Sequence, residues 1–266
     1  MAAVTKRQLS KTSTAYIAVG VVLITIMAII GMSAFMRTKE FIVNGASLYS
    51  VEEIVEASGL DVGDNLIFVN PQTVSQRIRE TLPFITVANV SRVLPDTVRI
   101  EVTESVAIAS ITFAGEVYVI DSSGRVLERV GREGAEGSQS LVENVPLIEV
   151  RGVEIEETLP GNTLRPVFGT ETKLQYMQDV LDALEREGLA SDVSYLDVSN
   201  IVNVFFGYRE LYRVILGGST SLRPSNLRHK IGMLEDSANQ IVAQYPNISG
   251  RIHWEHESGR ASFTRD

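Results

Sequence analysis

The sequence predicts an α+β protein in three parts: one apolar helix, a compact strand-helix-helix-strand-strand unit, and a larger mixed β-rich domain with two longer helices. Three observations carry this prediction. Residues 15–36 (AYIAVGVVLITIMAIIGMSAFM) form a run of 22 without a charge. Ser50-Val51-Glu52-Glu53 and the Asn70-Pro71 pair announce two helix starts in the segment that follows. Val98, Ile100 and Val102 alternate with Arg99, Glu101 and Thr103, as in a strand with one face buried and one solvated.

At 1.5 Å rise per residue the uncharged run covers about 33 Å as a helix, enough to cross a hydrocarbon core of about 30 Å. Lys6, Arg7 and Lys11 precede it with no acidic residue, whereas Arg37 and Lys39 behind it are opposed by Glu40. The positive-inside rule then makes residues 1–14 a cytoplasmic tail, 15–36 a single transmembrane helix, and everything from 37 onward extracytoplasmic. A cleaved signal peptide shares the basic start, but the run is long for one, and Met32, Phe35 and Met36 leave no clear small-x-small cleavage site.

Charge and composition remove several function classes. The chain carries a net −9, and its first 36 residues hold three bases and no acids, so the remainder is at −12. Binding to a phosphate backbone needs clustered Lys and Arg, and no nucleic-acid partner is expected. Cysteine is absent, which excludes disulfides, thiolate metal sites and a thiol nucleophile. The extracytoplasmic part must be held by its core alone.

Residues 37–104 form the compact unit. Phe41-Ile42-Val43 reads as a strand stopped by the Asn44-Gly45 turn. In the capping box the Ser50 hydroxyl accepts the Glu53 amide proton while Glu53 reaches back to the Ser50 amide, and the helix that follows buries Val51, Ile54 and Val55 before Gly59 ends it. Asn70 as N-cap and Pro71 at the first position open a second helix, whose face is Val74, Ile78 and Leu82. From Phe84 to Leu94 the chain is rich in β-formers. Its apolar positions change parity from Ile85 and Val87 to Ala88 and Val90, consistent with a bulge. Pro95-Asp96 turns into the alternating last strand.

Residues 105–266 form the β-rich domain. Val117–Ile120, Asp121-Ser122-Ser123-Gly124 and Arg125–Leu127 read as a hairpin. Residues 128–144 carry Gly131, Gly134 and Gly137 with scattered charge and read as a mobile loop. A helix over residues 171–187 presents Leu174, Met177, Leu181 and Leu184. Strands follow at 194–198, 201–206 and 211–216, the last two joined by a turn over Gly207-Tyr208-Arg209-Glu210. A second helix puts Leu227, Ile231, Leu234, Ala238 and Ile241 on one face until Tyr245-Pro246 breaks it. Residues 251–265 are strand-like, with Glu257-Ser258-Gly259 as a turn or bulge.

Nothing in this pattern points to catalysis. No nucleophile elbow, P-loop, dinucleotide fingerprint or His-Glu-x-x-His sequence occurs. His253 and His256 are three apart, so on a strand their rings point to opposite faces and cannot converge on a metal without a bulge. His229 sits between Arg228 and Lys230 on a polar helix face. The expectation is a non-enzyme with no cofactor, no metal and no small-molecule substrate. In the apolar helix, Gly20, Ala28 and Gly31 are small but form no GxxxG, and they suit either close approach of another helix or lipid-facing positions.

The order of these parts resembles the FtsQ/DivIB family of bacterial cell-division proteins. Phe41-Ile42-Val43-Asn44-Gly45, Ser50-Val51-Glu52-Glu53-Ile54, Gly63-Asp64-Asn65-Leu66, Leu82-Pro83-Phe84-Ile85, Ala88-Asn89-Val90-Ser91-Arg92, Leu94-Pro95-Asp96-Thr97 and Val102-Thr103-Glu104 are similar, in order, to that family's POTRA domain. Val119–Leu127, Val145-Pro146-Leu147-Ile148, Val214–Gly217, Lys230 and Leu234 resemble its β-domain. The end of the chain departs: where relatives commonly carry an Ile-Asp pair, this chain has Ile252-His253-Trp254-Glu255-His256.

The resemblance implies a non-catalytic scaffold at the division septum that helps coordinate septal peptidoglycan synthesis. Its implied partners are bitopic coiled-coil proteins of the FtsB/DivIC and FtsL type, with septal wall-synthesis enzymes beside them. Carried over by position, the partner surface includes Trp254, His256, Gly259 and Ser262. Trp254, the single tryptophan, suits either a hot-spot anchor or core packing. The alternative function is a POTRA-type chaperone or secretion component that binds extended client segments.

Overall fold

The computed structural model describes residues 11–131, 141–142, 145–218, 224–244, 248–254 and 261–265. Helix α1 spans Lys11–Phe35 and is 25 residues, about 37 Å, long. Its described side chains are apolar all round and exposed, Tyr16, Val22, Ile24 and Met27 among them. Counted over the described residues, no helix is long and apolar enough to cross a membrane.

The chain divides into two compact units, one of Met1–Arg79 with Val87–Thr103, the other of Glu80–Thr86 with Glu104–Asp266. The first unit holds β1 (Glu40–Asn44), α2 (Val51–Ser58), α3 (Pro71–Thr81), and most of β2 (Ile85–Val93) and β3 (Thr97–Glu104). Its sheet order is β1-β3-β2, with β1 parallel to β3 and Phe41 beside Val98. A parallel pair needs a crossover, and α2 and α3 supply it. Ile54, Leu66, Val74, Ile78, Val98 and Ile100 form the buried centre.

The caps follow from local chemistry. The Glu53 amide donates to Ser50 Oγ at 3.2 Å and the Ser50 amide to Glu53 Oε2 at 2.8 Å. The Ser50 backbone amide, then its hydroxyl, hold the Glu53 carboxyl below the usual glutamate range. Gly59 ends α2 at φ 64°, and Asn70 Oδ1 accepts from the Gln72 amide at 3.1 Å to start α3. Gly45, at φ 88°, is required twice over, because a Cβ there would lie 2.1 Å from the Val102 carbonyl oxygen. Ser50→Ala is expected to lower thermal stability by about 1 kcal/mol at neutral pH. The Ser50 hydroxyl accepts from the Glu53 amide at any pH, but the folded carboxylate titrates below its unfolded value, so the share that Glu53 adds is present above the unfolded pKa and is lost as pH falls through the lowered one. The measured loss should therefore shrink in acid, and an equal loss at both pH values would contradict the capping geometry.

Two expectations here are corrected. Val51 is exposed and Val55 only half-buried, because α2 turns Ile54, Ala57 and Ser58 inward. The buried Ser58 hydroxyl is satisfied locally, donating to the Val55 carbonyl at 2.5 Å and accepting from the Leu60 amide at 3.1 Å. In β2 the parity change lies between Ile85 and Ala88, both buried, and leaves Val87 exposed.

The second unit is one nine-stranded sheet with helices. Its strands are β4 (Ala109–Phe113), β5 (Glu116–Ile120), β6 (Val126–Gly131), β7 (Ile148–Arg151), β8 (Val193–Asp197), β9 (Val204–Tyr208), β10 (Tyr212–Gly217), β11 (Gly250–Trp254) and β12 (Ala261–Arg265). They lie in the order β12-β11-β10-β9-β8-β7-β4-β5-β6. Helix α4 (Glu171–Arg186) lies in the connection between the parallel neighbours β7 and β8. Helices α5 (Pro224–Gly232) and α6 (Leu234–Gln244) lie in the connection between the parallel neighbours β10 and β11. Leu174, Met177, Leu181 and Leu184 of α4 and Leu227, Ile231, Leu234 and Ala238 of α5 and α6 are all buried in one core.

The hairpin at Asp121 closes as its composition demands. Asp121 Oδ1 accepts from the Arg125 amide at 2.9 Å and from Ser123 Oγ at 2.7 Å, and Gly124 takes φ 80°. Residues 128–131, read as the start of a loop, instead continue β6, with Val130 opposite Val117. That edge strand has no apolar alternation because it is held by polar pairs: Arg129 meets Glu116 at 2.7 Å and Glu157 at 2.8 Å. Residues 132–140 and 143–144 of the predicted loop lie outside the described residues.

The turn read over 207–210 is shorter. β9 runs through Tyr208, and only Arg209 and Glu210, at φ 48° and 58°, make the hairpin turn. Gly207 is a strand residue whose missing side chain admits the Tyr195 ring, since a Cβ would lie 2.4 Å from Tyr195 Cε1. The second long helix is divided at Met233, where Gly232 coincides with the back-bond of Ser237 Oγ to the Met233 carbonyl at 2.7 Å.

Candidate partner-docking surface

Among the described residues β11 and β12 form an antiparallel pair at one end of the large sheet's strand order. β11 packs parallel to β10, with Ile252 beside Val214, and β12 packs on β11 with Trp254 opposite Ala261, Ile252 opposite Phe263 and His253 opposite Ser262. Strand alternation divides this hairpin into two faces. Ile252 is fully buried, and Trp254, Ala261 and Phe263 pack half-buried against the core beside it. The Phe263 ring meets Tyr212 edge-on at 6.1 Å and covers Gly250, where a Cβ would lie 2.5 Å from the ring.

The opposite face is polar at the edge and aromatic farther in. Ser262 Oγ and His253 Nε2 are 2.8 Å apart. Across the neighbouring strands, Arg213 lies over the Phe205 ring at 5.1 Å, Phe205 meets Tyr195 edge-on at 6.3 Å, and Arg151 lies over Tyr195 at 4.6 Å. Arg151 also pairs with Glu149 at 2.6 Å, and that hydrogen bond holds the Glu149 carboxyl below its ordinary range. Both partners are about half exposed, so the pair contributes little to stability. On the helix-covered side, Lys230 donates to the Leu216 carbonyl at 3.1 Å, and burial lowers its pKa.

Of the four residues carried over as a partner surface, the structure brings Trp254 and Ser262 to the same hairpin but on opposite faces. Trp254 Nε1 is buried and meets no hydrogen-bond partner among the described residues. His256 and Gly259 lie outside the described residues, as does the turn read at 257–259. His253, weighed from sequence only as a metal ligand, stands opposite Ser262, whereas Phe263 on the core face and Thr264 on the Ser262 face belong to the same hairpin without being singled out there. The apolar/polar alternation of Ala261-Ser262-Phe263-Thr264 is the signal that places them.

The hairpin thus presents the Ser262 face outward and turns its Trp254 face onto the core. Among the described residues no group of three or more His, Asp or Glu side chains could hold a metal. A cleft of about 350 Å³ in the first unit is lined by Gly59, Asp64, Phe68, Asn70, Val74 and Arg77 among others. Its charged groups are already engaged: Asp64 accepts from the Asp61 amide at 2.9 Å and Arg77 donates to the Ser58 carbonyl at 3.2 Å.

Residues 36–105 match the POTRA domain of FtsQ type. The chain is similar to the cell division protein DivIB of Clostridium tetani, 22% identical over 200 residues that cover 74% of this chain and 70% of the relative. It is similar to the cell division protein FtsQ of Anaeromyxobacter sp., 24% identical over 204 residues, 62% of this chain and 69% of the relative. The FtsQ protein of Corynebacterium glutamicum is 34% identical over 113 residues, 41% of this chain and 50% of the relative. The chain thus carries an FtsQ-type POTRA domain followed by a large β-sheet domain, and over most of its length it is similar to cell-division proteins named FtsQ and DivIB.

Proposed function

We propose that the chain is a non-catalytic scaffold of the division machinery, anchored once in the membrane, that docks membrane-anchored partners at the open edge of β12. The observation that carries this reading is the position of β12. Among the described residues it pairs with β11 on one side and stands last in the sheet order on the other, the place where an extended segment adds as a further strand. Strand addition of this kind draws affinity from the backbone and choice from the alternating side chains, here Ser262 and Thr264 on one face and Ala261 and Phe263 on the other.

The anchor in this reading is residues 15–36, with residues 1–14 in the cytoplasm, a POTRA domain over 37–104 and a β-domain over 105–266. A helix apolar all round has no soluble face to present, and it suits lipid. The partners are bitopic coiled-coil proteins of the FtsB/DivIC and FtsL type, and the consequence of docking is coordination of septal peptidoglycan synthesis. In dividing cells a fluorescent fusion of the full chain is expected to form a midcell band. Uniform envelope fluorescence at all stages of division would sink this reading and favour a POTRA-type chaperone.

A further inference from the structure

The loop between α2 and α3 is held at the foot of α1. The Leu66 amide donates to the Met36 carbonyl at 2.9 Å, the Thr38 amide to the Asp64 carbonyl at 2.8 Å, and the Gly63 amide to the Thr38 carbonyl at 2.7 Å. From the other side, the Arg92 guanidinium donates to the carbonyls of Leu66 and Ile67 at 3.3 and 3.2 Å. Two further bonds fix the tip, from the Ile67 amide to Asn65 Oδ1 and from the Phe68 amide to the Asn65 carbonyl, both 3.0 Å.

This rigid loop divides its apolar residues. Leu66 and Val69 are buried in the domain, whereas Val62, Ile67 and Phe68 are 70%, 46% and 80% exposed. The β2–β3 turn reaches the same end, because the Lys39 amide donates to the Asp96 carbonyl at 2.8 Å, and it carries Leu94 at 61% exposure. Single exposed apolar residues are ordinary; four at the end of a domain where an apolar helix enters it need an occupant.

We propose that these residues are a lipid-facing foot, with Val62, Ile67, Phe68 and Leu94 seated in the headgroup region of the extracytoplasmic leaflet. The proposal rests on α1 spanning the membrane. Continuity with that helix then chooses lipid as the occupant. Phe68 is two residues beyond the Leu66–Met36 bond, within about 7 Å of chain reach. The headgroup region on each side of the hydrocarbon core is about 5–7 Å deep. The foot fixes the tilt of the POTRA domain on the bilayer, as a second attachment beside the flexible single point that a lone helix would give.

The absence of cysteine allows a clean test. Full-length chains carrying Ile24→Cys, Phe68→Cys or Phe168→Cys are spin-labelled and reconstituted in phosphatidylglycerol/phosphatidylcholine vesicles. Power saturation then compares collisions with oxygen, which partitions into lipid, and with a water-soluble nickel chelate. The oxygen-to-nickel ratio at position 68 is expected to be several-fold above that at the solvent-exposed position 168 and below that at position 24. A ratio at 68 equal to that at 168, with 24 still lipid-like, would overturn the foot and leave the spanning helix intact. An aqueous ratio at 24 would overturn both. Spin–spin broadening at 68 that survives dilution with lipid would replace the bilayer by a second copy of the chain. Because Phe68 is exposed, its replacement leaves the fold in place.

Discussion

Truncating the chain before Ala261 is expected to abolish capture of its membrane-anchored division partners while the rest of the β-domain stays folded. β12 contributes no fully buried residue: Ala261, Ser262 and Phe263 are half-buried, and Thr264 and Arg265 are exposed. Losing the Phe263 ring from above Gly250 and from beside Tyr212 costs about 1–2 kcal/mol of packing. That is a shift in stability and not a collapse, since domains of this kind hold about 5–15 kcal/mol. Binding suffers far more, because the truncated sheet presents β11, with different side chains and a different register, in place of β12. Capture from solubilised membranes should fall at least tenfold, about 1.4 kcal/mol or more. Undiminished capture would show that the partners use another surface. A cut before Arg251 is a poorer test, since it also removes Ile252 from the core. Trp254→Ala separates the two uses of the hairpin: its ring packs on the core side, so it should lower stability and capture together, whereas β12 mutations on the Ser262 face should lower capture alone.

What was legible in the sequence was whatever local chemistry decides. The capping box at Ser50, the Asn70-Pro71 start, the Asp121–Gly124 hairpin and the inward faces of α4 and of α5 with α6 all stand where spacing puts them, because one residue type satisfies one backbone need in each case. The failures share a different cause. The second half of β6, residues 128–131, reads as loop because an edge strand needs no buried face and is held here by Arg129 between Glu116 and Glu157, which looks like loop composition. Gly207 reads as a turn residue because a glycine signals a turn locally, yet its reason for being there is the Tyr195 ring one strand away. The proposed docking surface has only family resemblance behind it at the level of sequence. Position alone could not show that Trp254 and Ser262 face opposite ways, because face depends on the register between β11 and β12.

Phe206 and Phe205 offer the sharpest test of that two-faced sheet. They are neighbours on β9, so alternation sends their rings to opposite sides. Phe206 is fully buried under the helices, whereas Phe205 lies half-buried on the open side between Tyr195 and Arg213. Phe206→Ala leaves a ring-sized void in a packed core and is expected to cost about 3–5 kcal/mol. Phe205→Ala loses one edge-on ring contact and one cation–π contact, about 1–2 kcal/mol together. Trp254 makes the measurement simple: it is the single tryptophan of the chain and packs against the β-domain core, so its fluorescence in a urea titration follows that domain. The midpoint should fall far more for Phe206→Ala than for Phe205→Ala, with the slope unchanged in both. Equal shifts would mean that the open face is covered as well as the helix side. A surface already covered in the isolated chain has no aromatic stripe left to offer beside β12, and docking would then be confined to the strand edge itself.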